Sequence, residues 1–264
     1  MTGRRKVALT VAGSDSGGGA GIQADCRVFF LFGIHATCAL TSVTAQNTQG
    51  VWERFDLAPA MVAAQMEAVL SDIPVHAAKT GMLATAETAR VVACVFRRWD
   101  GIPVVVDPVL RSSTGQELLD PGGLEAIREE LLPRATVFTP NLEEASAFLG
   151  ERVDDLQDMR NAAAALLDLG PGCVVVKGGH LRGGEAVDVF YDGRRMEVLS
   201  GERIPTLHDH GTGCVFSAGV AAGLALGDEP LQAVMRARAL VRAALLNSLD
   251  LGKGKGVVFP VFLP

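Results

Sequence analysis

The chain has 264 residues, 48% of them hydrophobic and 20% charged, a globular composition that excludes a disordered or fibrous protein. A formal net charge of −6 excludes nucleic acid or an anionic membrane surface as the main partner, since both are held by basic patches. A small anionic substrate remains open, because a local cluster of donors is enough to bind it.

The elements can be read in chain order. "KVALTVA" (Lys6–Ala12) predicts a strand, and "GIQADCRVFFLFG" a helix stopped by Gly33. "HATCALTSVTAQ" predicts the second strand, and "NTQGVWERFDL" an excursion or hairpin. Pro59 stands where a helix through "AMVAAQMEAVLSD" begins. "VHAAKTG" is the next strand, followed by a helix from Thr85 to about Trp99. "IPVVVDP" is a continuous apolar run, as in a strand buried on both faces. "PGGLEAIREELLP" is helical, "ATVFTP" a strand, and "LEEASAFLG" a helix closed by Gly150. "DMRNAAAALLDLG" is a helix ending at Gly170, and "CVVVKGG" a buried strand. "AVDVFYDGRRMEVLS" is a hairpin with Asp-Gly at its turn, and two long helices run from about Gly213 to Leu251.

Strands alternating with helices predict an α/β fold with a central, mostly parallel sheet and helices on both faces. A domain of this class can reach about 200–250 residues, and no linker interrupts the chain, so one domain over 1–264 is expected. The first apolar run meets the polar "GSDSGGG" after six residues, too short for the apolar part of a secretory signal. No stretch approaches the roughly 20 apolar residues of a membrane span. The expected location is the cytoplasm.

Five cysteines without a C-x-x-C pair predict neither a zinc site nor a disulfide framework. Cys26, Cys38, Cys94 and Cys173 lie in hydrophobic runs and are expected to be buried and inert. The five histidines show no metal spacing and read mostly as structural or surface residues.

In doubly wound sheets, ligands sit outside the carboxyl ends of the strands. The unusual residues of this chain fall there: Gly13-Ser14-Asp15, Gln46-Asn47, Lys79 to Met82, Asp107-Pro108, Thr139 to Asn141, and Lys177 to His180. The loop "GSDSGGGAG" fits neither the Walker nor the dinucleotide glycine pattern. Asp25, one turn into the following helix on an otherwise apolar face, is expected to be the polar anchor of a substrate-binding loop. Asp107 either terminates a strand or ligates a metal. After it, "VLRSSTGQELL" has the composition of a mobile flap. Asn141 and Glu144 share one face at a helix start, where a carboxylate either complements the helix dipole or, with Asp107, holds Mg²⁺ partly through water. Lys177 is either solvated or a phosphate contact, and its glycine neighbours permit a close approach.

"GTGC" (Gly211–Cys214) opens a long helix, and its free N–H groups suit the oxygens of a phosphoryl group in transfer. A thiol at a helix N-terminus is expected to have a lowered pKa. Cys214 is therefore read as a proton acceptor for a substrate hydroxyl, against a buried inert thiol as the alternative.

Together and in this order, "VALTVAGSDSGGGAGIQADC", "KTGML", "VVVDPVL", "TPNLEEA", "VKGGHL" and "HGTGCVFSAGVAAGLALG" resemble the bacterial hydroxymethylpyrimidine/phosphomethylpyrimidine kinases of thiamine biosynthesis. The resemblance covers about residues 6–250 and implies a ribokinase-like fold, a homodimer, and ATP with Mg²⁺ as cofactors. It places the pyrimidine against Gly13, Ala20, Asp25, Gln46, Met82 and Val109, with Gln46 on the aminopyrimidine edge. It makes Gly211, Thr212, Gly213 and Cys214 the anion hole and base. Asp107 and Glu144 would order Mg²⁺, and Asn141, Lys177 and Thr212 would face ATP.

Two departures stand out. The family reads Asn-Thr-His before Gly-Thr-Gly-Cys, whereas this chain has His208-Asp209-His210, a carboxylate that would repel triphosphate unless turned away or placed near metal. The flap carries Arg111 where a lysine or small residue further along is expected. Two other readings compete. In a pyridoxal kinase sibling, a second cysteine is expected in the flap, and none occurs between Val109 and Leu119. A non-catalytic pyrimidine binder would not need Asp107, Glu144, Lys177 and the "GTGC" turn.

Overall fold

The computed structural model describes residues 5–179, 181 and 184–261, and His180 lies outside them. The strands are β1 (Val7–Asp15), β2 (His35–Asn47), β3 (Gly50–Asp56), β4 (Ala77–Thr80), β5 (Val104–Val106), β6 (Val137–Phe138), β7 (Val174–Gly178), β8 (Glu185–Tyr191) and β9 (Met196–Glu202). They form one sheet in the order β3-β2-β1-β4-β5-β6-β7-β8-β9. The six central strands, β2-β1-β4-β5-β6-β7 in sheet order, pair in parallel. Antiparallel strands close both edges, β3 on one side and the β8–β9 hairpin on the other.

The helices are α1 (Gly21–Leu31), α2 (Pro59–Leu70), α3 (Ala86–Arg98), α4 (Gly123–Ala126), α5 (Leu142–Leu149), α6 (Leu156–Leu167), α7 (Thr212–Leu226) and α8 (Pro230–Leu246). Strand alternation divides the core in two. Leu9, Val11, Val104 and Val106 face α2, α3, α5 and α6, while Ala8, Val105, Val137 and Val175 face α1, α7 and α8. The sheet is thus covered on both faces, which is why its central strands are apolar throughout. Helix α7 is buried from Val215 to Ala225, as an all-apolar helix must be.

Several expectations are corrected in detail. Strand β1 runs past Ala12 to Asp15, because after a register shift Ser14 and Asp15 still pair with Val43 and Thr44. The helix expected over "PGGLEAIREELLP" is one α-turn, a π-turn (Ile127–Leu131) and a 3₁₀ turn (Leu132–Arg134). Pro133, which cannot donate a backbone hydrogen bond, sits at that breakdown. Helix α8 stops at Leu246, not Leu251, and Leu249 instead pairs with Val257. Of the four cysteines expected in the core only Cys173 is buried, while Cys38 is exposed. β3 covers β2 only from Ser42 onward, which leaves Cys38 on an uncovered stretch of β2.

Candidate active site

The carboxyl ends of β1, β2, β4, β5, β6 and β7 open into one cleft of about 2090 Å³. A pocket for one small ligand holds about 300–1,000 Å³, so this cleft has room for two ligands. Gly13, Ala20, Gln46, Met82 and Val109 line one end of it. Asp107, Asn141, Glu144 and Lys177 line its middle, with Gly211, Thr212, Gly213 and Cys214 beside them.

Asp25 is the exception: it does not line the cleft. Its carboxylate is wholly buried, takes Nζ of Lys79 at 3.0 and 3.1 Å, and accepts the Thr10 hydroxyl at 2.6 Å. The expected substrate contact is therefore a structural ion pair tying α1 to β1 and β4. Lys79 is equally buried. Burial is the largest influence and would lower its pKa, but the charge and hydrogen bond of Asp25, with Cys214 and Asp107, together outweigh it and hold it above the ordinary lysine range.

The polar loop after β1 is organised by Asp15, whose place at the strand end is plain in the sequence but whose role is not. Its carboxylate accepts backbone N–H groups from Gly17 (2.8 Å), Gly19 (3.1 Å) and Ala20 (2.8 Å), and His210 Nε2 lies 2.9 Å away. Burial raises the Asp15 carboxyl, but these partners outweigh it and hold it below its usual range. His210 also reaches the flap, with Nδ1 2.9 Å from Ser113 Oγ, and it lies 3.5 Å from the Gln46 amide. Gln46 follows a bulge in the β2–β3 ladder, and its amide oxygen accepts the Thr44 hydroxyl at 3.2 Å. Bulges re-aim side chains next to such sites.

In the middle of the cleft the charges are already paired. Lys177 Nζ lies 3.0 Å from Asp107 Oδ1 and 4.0 Å from Glu144, and the Ser217 hydroxyl donates to Asp107 Oδ2 at 2.9 Å. Burial would lower Lys177, but Asp107 and Glu144 outweigh it and hold it charged. Burial pushes the Glu144 carboxyl above its ordinary range against the pull of Lys177. Asn141 and Glu144 form a capping box at the start of α5: Asn141 Oδ1 accepts from the Glu144 N–H, and Glu144 Oε2 from the Asn141 N–H. The helix-cap alternative for these residues is thus realised, and both side chains still face the cleft. Among the described residues no group of three or more His, Cys, Asp or Glu could hold a metal ion by itself.

The turn Gly211–Cys214 opens α7 with Gly211 at φ +90°. A Cβ on Gly211 would stand 1.9 Å from the Gly19 carbonyl oxygen, so only glycine lets this turn lie against the β1 loop. Cys214 is half-buried at the cleft floor. The lowered pKa expected for its thiol is not found. Burial pushes it up to about 12, against the opposing charge of Lys79, with Asp25 and Asp107 adding to the rise. The partial charge of a helix end is worth less than the loss of water around a thiolate.

The family model described as phosphomethylpyrimidine kinase matches residues 15–259. A hydroxymethylpyrimidine/phosphomethylpyrimidine kinase of Synechococcus elongatus is 48% identical over 260 residues, covering 97% of this chain and 98% of its own length. The thiamine biosynthesis bifunctional protein ThiED of Geobacter sulfurreducens is 44% identical over 254 residues, covering 96% of this chain and 52% of its own. Among solved structures, an ADP complex of Bacillus subtilis pyridoxal kinase superposes with a TM-score of 0.90 at 39% identity, covering 96% and 97% of the two chains.

Two outcomes follow from this geometry. Lys79→Met strands the Asp25 carboxylate in the core, so denaturant unfolding should show a loss of about 3–5 kcal/mol. Adding Asp25→Leu should recover most of it, and a single variant within about 1 kcal/mol of the parent would show that the pair is not an ion pair. For Cys214, iodoacetamide alkylation followed by peptide mass spectrometry should accelerate about tenfold per pH unit from about pH 7 to 9, since only the thiolate reacts. A rate already level below about pH 8 would contradict a thiol raised by burial.

Proposed function

Because the chain belongs to the phosphomethylpyrimidine kinase family, we propose that it is an ATP-dependent kinase of thiamine biosynthesis acting twice on one pyrimidine. The first transfer phosphorylates 4-amino-5-hydroxymethyl-2-methylpyrimidine, and the second converts its monophosphate to the diphosphate. The observation that carries this reading is one cleft holding an amide end, at Gln46, and a glycine turn that opens a helix, at Gly211–Cys214. The chain acts as a single kinase domain over 1–264, as a cytoplasmic homodimer. Among the described residues no helix is long and apolar enough to cross a membrane. Trp52 and Phe55, about 70% exposed on edge strand β3, are surface that a second copy could cover.

In this proposal the pyrimidine lies against Gly13, Ala20, Met82 and Val109, and Gln46 hydrogen-bonds its amino edge. The acceptor oxygen points at the Gly211–Gly213 turn, whose N–H groups stabilise the equatorial oxygens of the moving phosphoryl group. Lys177, Asn141 and Thr212 face the ATP phosphates. The donor set fits Mg²⁺, which takes oxygen ligands, few carboxylates and the substrate's phosphates. Both Asp107 oxygens are engaged, so Asp107 and Glu144 would hold the ion largely through water. When bound, Mg²⁺ neutralises charge on the β- and γ-phosphates.

Cys214 takes the hydroxyl proton in the first transfer. Only the thiolate can accept that proton; burial keeps the thiolate a minor form, so the thiol first gives its own proton to solvent, and the first step should quicken as pH rises from about 7 to 9. The second transfer needs no base, because a phosphate monoester with a second pKa of about 6 is already ionised at neutral pH.

This asymmetry sets the test. ADP release coupled to product analysis, with ATP and Mg²⁺, should show the alcohol converted to monophosphate and then diphosphate. Cys214→Ala should lower kcat of the first step by about 10²-fold, the low end for a general base. The second step should keep most of its rate. Equal losses in both steps would make Cys214 structural, and turnover of pyridoxal in place of the pyrimidine would overturn the assignment.

A further inference from the structure

After α8 the chain folds back across the edge of the cleft. Leu249 and Val257 exchange backbone hydrogen bonds of 2.8 and 3.1 Å, and the Val258 N–H donates to the His210 carbonyl at 3.1 Å. The Lys255 N–H donates to the Thr48 carbonyl at 2.9 Å, at the turn between β2 and β3. Thr48 Oγ1 accepts from the N–H groups of Lys253 and Gly254, each at 3.2 Å. The Gly256 N–H donates to His208 Nδ1 at 3.2 Å. A Cβ on Gly254 would stand 2.0 Å from the Thr48 carbonyl oxygen, so the alternating "GKGKG" run is a strap pressed onto its neighbours. Both backbone neighbours of Lys255 are fixed by these contacts.

The Lys255 side chain lines the cleft, and its ammonium lies 3.2 Å from Asp209 Oδ1. The pair is open to water, at 46% and 36% exposure. Asp209 stands directly beside the anion turn: its carbonyl accepts both the N–H and the hydroxyl of Thr212. An unpaired carboxylate there would repel any phosphate bound at the turn, and Lys255 removes that repulsion. An exposed ion pair is weak, so the ammonium exchanges a carboxylate for a phosphate oxygen at little cost.

We propose that Lys255, delivered by the C-terminal strap, is a phosphate-binding residue of the cleft, and that Asp209 is the positioning residue that keeps its ammonium there between turnovers. The proposal rests on the kinase reading for what enters the cleft. The phosphoryl group is either that of the nucleotide or the ester of the monophosphate acceptor.

The two sources separate by calorimetric titration of Lys255→Met with ATP, with the pyrimidine alcohol and with its monophosphate. The variant should bind ATP, the monophosphate or both about tenfold more weakly, the scale of a lost hydrogen bond to a charged group at a half-exposed site. The alcohol should bind as before, and the melting temperature should hold. Adding Asp209→Asn should restore part of the loss, because the repelling carboxylate is gone. Wild-type affinity for the affected ligand should fall with salt more steeply than that of the variant. Weakening of ATP alone assigns the nucleotide, and of the monophosphate alone the acceptor. Unchanged affinity for both phosphorylated ligands, or equal weakening of all three, overturns the proposal. Wild-type protein that binds phosphates through Lys255 but turns over no pyrimidine would sink the kinase reading and keep this one. Wild-type turnover with an indifferent Lys255→Met variant would do the reverse.

Discussion

A lysine and an aspartate, both wholly buried, hold the floor of the cleft together. Lys79 comes from the end of β4 and Asp25 from the first turns of α1, and Thr10 of β1 completes the cluster. Two charges are stable in a core only when each satisfies the other, so the pair fixes where α1 crosses the sheet. That crossing sets the loop from Gly13 to Gly21, against which the Gly211 turn is packed. The anion turn is thus held from beneath by an interaction that never meets a ligand.

The cleft above this floor is full of charge, and nearly all of it is compensated internally. Asp15 is met by His210 and three backbone N–H groups, Asp107 by Lys177 and Ser217, and Asp209 by Lys255. Such pre-pairing makes a strongly polar cleft cheap to keep open and leaves the helix start at the anion turn, rather than a bare side-chain charge, as the place for a phosphate. It also explains how an acidic chain accommodates anionic substrates. The local balance of donors, not the net charge, decides what binds.

The layout of strands and helices was legible because both periodicities are strong, and a cleft does open at the carboxyl ends of the parallel strands. What escaped was the result of burial and of long-range pairing. Asp25 on an apolar helix face announces a polar partner, but the sequence does not say whether that partner is a ligand or Lys79, 54 positions away. Cys214 shows its helix N-terminus in the sequence but not its loss of water, and the loss dominates. Asp15 and His210 meet across 195 positions, and no local pattern marks the pairing. The strap 248–258 has neither helical nor strand period, because its order comes from Thr48, His208 and Leu249.

The central claim is that one cleft performs both transfers, with the pyrimidine end and the anion turn shared by an alcohol and by its phosphate. Inhibition kinetics test this most directly. With ATP saturating, the pyrimidine monophosphate should inhibit phosphorylation of the alcohol competitively, with an inhibition constant equal to its own KM as a substrate. Noncompetitive inhibition, or constants that disagree, would mean two separate acceptor sites and would contradict the account.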